Sequence, residues 1–153
     1  MIDLQVGPER VLVMAVQTDQ YSPEQFQVIL DEMTSLTETA GGQVIEVVTQ
    51  KLPKLDGRTA VGSGKLEEIA ALVEAREIDL VISLNALTPS MNRQLEASLK
   101  VHVIDRVQLI LDIFAMRARS REGKLQVALA QYNYLLPRLY GQGKHLSRQG
   151  GGI

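Results

Sequence analysis

The chain has 153 residues, 45% of them hydrophobic and 22% charged, which is enough for one sizeable core and one or two structural units. It contains no cysteine, which excludes a disulfide framework and thiolate metal sites, and its two histidines, His102 and His145, are too few for a zinc centre. No apolar run reaches the roughly 20 residues needed to cross a bilayer.

The opening MIDLQVGPER lacks the basic region and apolar stretch of a signal peptide, so a soluble cytoplasmic protein is expected. The net charge of −2 conceals an asymmetry. Residues 1–105 carry 8 basic and 16 acidic side chains, whereas residues 106–153 carry 8 basic side chains and only Asp112 and Glu122 against them. Net charges of −8 and +6 on the two parts point to a polyanionic partner for the second. The plainer alternative is mutual attraction of the halves.

VLVMAV (11–16) is a continuous apolar run, as in a strand buried on both faces. Ser22-Pro23 offers an N-cap and a first-turn proline. Phe26, Ile29, Leu30, Met33, Leu36 and Ala40 follow at helical spacing, and Gly41-Gly42 ends the helix. VIEVV (44–48) predicts a second strand and LPKLDG (52–57) a turn-rich connection. A helix is expected from Leu66 to about Arg76, and a strand at DLVISL (79–84). Thr88-Pro89 repeats the cap-and-proline signal for a helix to about Leu99, before a strand at VHVI (101–104). Such alternation predicts an α/β fold. It should have a small four-stranded, mainly parallel sheet with helices on both faces, right-handed crossovers and strand order 2-1-3-4.

Beyond Asp105 the pattern changes. Asp105 and Gln108 can form a capping box before a helix to about Arg119 carrying Val107, Ile110, Leu111 and Phe114. SREGK (120–124) has the polarity of a tip. Leu125, Leu129, Tyr132, Leu136 and Leu139 then alternate in steps of four and three, the a/d seam of a two-helix pairing. One continuous helix with Gly123 inside would cost ~1 kcal/mol relative to alanine, and a two-helix antiparallel hairpin is preferred. Pro137 and Gly141 are expected to close its second helix, and GQGKHLSRQGGGI to be a linker. The organisation predicted is 1–105 as α/β domain, 106–140 as helical hairpin and 141–153 as glycine-rich linker.

VGSGKLEE (61–68) resembles part of a phosphate-binding loop. In G-x-x-x-x-G-K-[ST] the leading glycine would fall on Thr59 and the hydroxyl on Leu66, so two chemistry-bearing positions fail. The dinucleotide pattern also fails, because Glu67 replaces its third glycine. Glu67 and Glu68 suit a helix N-terminus and would repel a phosphate. Gly62, Ser63, Gly64 and Lys65 remain a generic anion or nucleotide site, with a tight turn the favoured reading. No catalytic residue or metal site is expected. Tyr132, Tyr134 and Tyr140 are candidates for stacking on bases, although Tyr132 falls on the hairpin seam. His102, between two valines, reads as a strand histidine. Arg117, Arg119, Arg121 and Lys124 lie within eight residues around the expected tip, and like charges clustered there are suited to gripping phosphates.

VGSGKLEEI, then VIDRVQLILDIFAMRARSREGKLQVALAQYNYLLPRL, and the closing SRQGGGI resemble the HflX family of ribosome-associated GTPases over roughly residues 59–153; residues 1–58 agree in pattern only. The resemblance implies an N-terminal α/β domain and helical hairpin ahead of a GTP-binding domain, with the large (50S) ribosomal subunit and 23S rRNA as partners. It places an RNA-facing tip on Arg119, Ser120, Arg121, Glu122, Gly123 and Lys124, next to Arg117. The chain ends at Ile153 without a complete P-loop, an Asp-x-x-Gly element or an Asn-Lys-x-Asp motif. GTP and Mg²⁺ are therefore expected in a domain of the parent protein absent here, and no GTP hydrolysis or resident cofactor in this part. Two alternatives stand beside ribosome docking. One is ATP or GTP binding at the 62–65 turn, and the other a structural or autoinhibitory oligomerisation module using the Leu/Tyr seam.

Overall fold

The computed structural model describes residues 8–118 and 120–150, the last of these, 139–150, as backbone alone. Its elements are β1 (Arg10–Gln17), α1 (Pro23–Thr39), β2 (Gln43–Lys51), α2 (Ser63–Ala75), β3 (Leu80–Ser83), α3 (Pro89–Leu99), β4 (His102–Asp105), α4 (Arg106–Arg117) and α5 (Arg121–Gly150). The four strands form one sheet in the order β2-β1-β3-β4, and every pairing is parallel. The expected order holds, and "mainly parallel" becomes wholly parallel.

The apolar run of β1 explains the layering. Side chains alternate across a strand, and here both sets are buried. Val11, Val13 and Ala15 pack with Phe26, Leu30 and Met33 of α1 and Leu109 and Ile113 of α4. Leu12, Met14 and Val16 pack with Ile69 and Val73 of α2 and Met91, Leu95 and Leu99 of α3. Right-handed crossovers require this division. The chain steps one way from β1 to β2 and the other way from β2 through β3 to β4, so α1 lies on one face and α2 and α3 on the other.

Local chemistry sets the element ends. Ser22 and Gln25 form a reciprocal capping box at α1, and Thr88 caps α3 through the Met91 N–H at 3.1 Å. Gly41 adopts φ 97°, a conformation that costs glycine little. A Cβ on neighbouring Gly42 would come within 3.0 Å of a Val11 methyl, so the α1–β2 turn lies tight against β1.

Three expectations are corrected. α2 begins at Ser63, earlier than the expected Leu66, because the polar residues ahead of Leu66 need no apolar partner to take up a first turn. α4 ends at Arg117 and α5 begins at Arg121, so Arg121 to Lys124 are already helical. Ser120 directs its hydroxyl to the Gly123 N–H at 2.9 Å and so caps α5. Lastly, α5 continues past Pro137 and Gly141 to Gly150. A proline deletes one bond of the helical ladder and a glycine costs about 1 kcal/mol; these are penalties rather than stops.

The outer edge of β4 is closed by α3 instead of another strand. The Glu96 carboxylate accepts from the Val103 N–H at 2.9 Å and lies 2.7 Å from the His102 ring. The Asn92 amide donates to the Val103 carbonyl at 2.8 Å. Side chains thus supply the bonds that an edge strand would otherwise offer to another chain. Burial raises the Glu96 pKa, but the bonds from His102 and Val103 and the charge of His102 outweigh it and hold the group below its ordinary 4.5. A depressed carboxyl pKa contributes stability that is present above about pH 4.5 and is lost as pH falls through the folded-state value. Urea unfolding of Glu96→Gln between pH 7 and pH 3 should therefore show wild type more stable near neutrality, with the margin closing below about pH 4.5.

Candidate nucleic-acid interface and its joint with the sheet

The expected tip residues flank the α4–α5 turn. Arg117 ends α4, Ser120 caps α5, and Arg121, Gly123 and Lys124 form the first turn of α5. Arg119 lies outside the described residues. Arg117, Arg121 and Lys124 are exposed, and no ion pair holds them among the described residues. The other basic side chains of this part with a described position are engaged: Arg106 pairs with Glu32 at 2.8 Å, and Arg138 is drawn inwards. Three solvated cations at one turn can meet phosphates without first giving up a protein partner.

The 62–65 turn is built differently. The Gly62 N–H is taken by the Gln50 side chain at 3.0 Å, and Lys65 pairs with Glu68 at 3.1 Å. Gly62 is the N-cap residue of α2 and offers no side-chain cap. A doubly wound sheet ordinarily takes its ligand in the crevice at the carboxyl ends of the strands where the order reverses, here between β1 and β3. Asn85 bridges that crevice: it accepts from the Val16 N–H at 2.8 Å and donates to the Val16 carbonyl at 3.0 Å. Among the described residues no group of three or more His, Cys, Asp or Glu could hold a metal, and no helix is long and apolar enough to cross a membrane.

The sequence reading missed how α5 meets the body. Asp105, 2% exposed, ends β4 and caps α4. One of its oxygens accepts from the Gln108 N–H at 3.1 Å, and the other from the Leu87 N–H at 2.9 Å and from the Tyr134 hydroxyl. The Arg138 guanidinium stands 3.8 Å over the Tyr134 ring, donates to the Tyr134 hydroxyl at 2.8 Å and to the Leu87 carbonyl, and lies 3.7 Å from the Asp105 carboxylate. Burial, and then the Asp105 carboxylate, push the Tyr134 phenol well above its ordinary value, against a smaller lowering by Arg138; the phenol stays a proton donor. Only half of the expected capping box forms at α4, since the Gln108 amide turns to Asp112 at 2.9 Å, where Gln131 of α5 also donates at 3.0 Å. The seam reading is also corrected. Leu125, Leu129, Tyr132 and Leu136 are 63%, 60%, 59% and 43% exposed, because α5 presents its Gln131/Tyr134/Arg138 face to the body. Tyr134 is accordingly not free to stack on a base. The spacing of those three residues, opposite the leucines, was the available signal.

A family described as "GTP-binding GTPase N-terminal" matches residues 27–115, and one described as "GTP-binding GTPase Middle Region" matches residues 117–153. The chain belongs to the HflX family of GTPases. It is 52% identical over 145 residues to GTPase HflX of Alkalihalophilus pseudofirmus, covering 95% of this chain and 34% of that protein. It is 43% identical over 147 residues to GTPase HflX of Escherichia coli, covering 96% of this chain and 34% of that protein. The chain thus spans about a third of the length of these curated relatives and corresponds to an N-terminal fragment of an HflX GTPase. A GTP-binding protein of Sulfolobus solfataricus in complex with GDP superposes with TM-score 0.60 at 26% identity, over 86% of this chain and 39% of that one. A crystal structure described as the SsGBP and GDP complex gives TM-score 0.66 at 26% identity, over 87% of this chain and 37% of that chain.

Asn85→Ala leaves two buried backbone groups of Val16 without partners. Chemical denaturation should show a loss of about 2–4 kcal/mol.

Proposed function

We propose that this chain is the ribosome-docking and regulatory part of an HflX-type GTPase, meeting the 23S rRNA of the large (50S) subunit through the basic residues of the α4–α5 turn. The observation that carries this reading is the set of exposed, unpaired cations Arg117, Arg121 and Lys124, on the part of the chain with net +6, beside a body of net −8. Such a distribution orients the molecule towards a polyanion by one end and keeps the acidic body away from it. Arg119 belongs to the same cluster by sequence, and Ser120 and Gly123 shape the turn. We read α4 and α5 as an antiparallel hairpin, supported by the pairing of Asp105 with Tyr134 and of Asp112 with Gln131 on either side of the turn. In this reading residues 1–105 are the α/β domain, 106–140 the hairpin and 141–153 lead towards the GTPase domain. α4 nevertheless shares its core with the sheet through Leu109 and Ile113. GTP and Mg²⁺ are assigned to the remainder of the parent protein, which works in the cytoplasm with the ribosome.

A second reading has support in the exposed stripe Leu125, Leu129, Tyr132 and Leu136, with Phe114 55% exposed nearby. A contiguous apolar face of this kind marks a protein contact, and the parent's GTPase domain is the partner this reading assigns to it.

Co-sedimentation with purified large subunits across a salt series distinguishes the two. Arg117→Glu/Arg121→Glu should reduce binding by about ten-fold or more at low salt and flatten its salt dependence, with circular dichroism unchanged. Binding equal to wild type would exclude the arginine contact. Leu129→Asp should bind as wild type if the stripe belongs to the parent's GTPase domain, and loss of binding in it alone would exclude that assignment by placing the stripe on the ribosome.

A further inference from the structure

Each of α1 to α4 places apolar side chains in one of the two core clusters, and none of the described side chains of α5 lies there. The face that α5 turns to the body is mainly polar, made by Gln131, Tyr134 and Arg138 at helical positions i, i+3 and i+7, with the half-buried Val127 one turn before them. Beside them Leu135 borders a cavity of about 250 Å³ between α3, β4 and α5, instead of filling it. The apolar stripe of α5 points away from the body and is exposed. The joint therefore differs in kind from the rest of the fold. Hydrogen bonds and one charge contact fix its geometry, and the described apolar side chains of α5 nearest the body, Val127 and Leu135, are half-buried rather than part of either core cluster. A cavity at the contact leaves room to rock the helix without forcing close-packed atoms together.

We propose that α5 is a latched arm, held on the α/β body by the Asp105–Tyr134–Arg138 joint and able to swing from it as a helix while the body stays folded. Both polar backbone groups of Leu87 belong to the latch: Asp105 accepts from its N–H at 2.9 Å and Arg138 donates to its carbonyl. The arm's position is thereby tied to the β3–α3 loop, at the carboxyl end of the sheet. Asp105 is the fixed half, since it also caps α4. Tyr134 and Arg138 are the mobile half. The proposal extends the ribosome-docking reading, because the arm begins with Arg121 and Lys124, but its test needs no ribosome.

The chain has no native cysteine, so spin labels at Ser98→Cys on α3 and Gln126→Cys on α5 report the docking distance without background. The double-labelled chain should give one dominant distance. Adding Tyr134→Phe, which removes the hydroxyl bonded to both Asp105 and Arg138 and keeps the ring, should produce a second population displaced by about 10 Å, one helix diameter. Arg138→Met should do the same. Urea unfolding followed by strand amide exchange should stay within two-fold of the unsubstituted chain. Leu129→Ala, on the exposed stripe, should leave the distance unchanged. An unaltered distribution in both Tyr134→Phe and Arg138→Met overturns the latch, as does unfolding of the strands together with release of α5. An equal displacement in Leu129→Ala also overturns it, since docking would then depend on the apolar face.

Discussion

The fold rests on one constraint: β1 is buried on both faces. A strand with six successive residues from Val11 to Val16 out of water has to be sandwiched, and among the described residues the regular elements outside the sheet are helices. Right-handedness of the crossovers then distributes them, α1 to one face, α2 and α3 to the other. α4 completes the first layer by inserting Leu109 and Ile113 against Leu80, Ile82 and Ile104. The remaining features follow from where this layering leaves edges and ends: β4 with an open edge, β1 and β3 with a crevice at their carboxyl ends, and α5 with no room in either layer.

At each of those places the molecule uses buried or half-buried polar side chains. Asn92 and Glu96 occupy the edge of β4, Asn85 occupies the crevice, and Asp105 receives α5. A buried polar group is costly unless paired and directional when paired, so these contacts specify geometry more than they add stability. The contrast explains the functional division. In the crevice where other doubly wound sheets take a ligand, Asn85 bonds both backbone groups of Val16. The basic turn and the apolar stripe of α5 are exposed.

The sequence by itself determined the sheet and its order. The apolar runs, the Ser22-Pro23 and Thr88-Pro89 caps and the strand–helix alternation are local signals, and handedness turns them into a topology with few options. It also determined the charge division between the −8 and +6 parts and the family, through the long run from Val103 to Leu139. Only the tertiary structure decided how α5 is used. The 4-3-4 spacing of Leu125, Leu129, Tyr132 and Leu136 shows that one face of the helix is apolar, but periodicity cannot say what that face meets. The choice fell to long-range pairs, Asp105 with Tyr134 and Leu87 with Arg138, 29 and 51 residues apart. Their individual residues carry no local signature, because a buried carboxylate and a half-buried phenol and guanidinium become a joint only when the fold brings all three together.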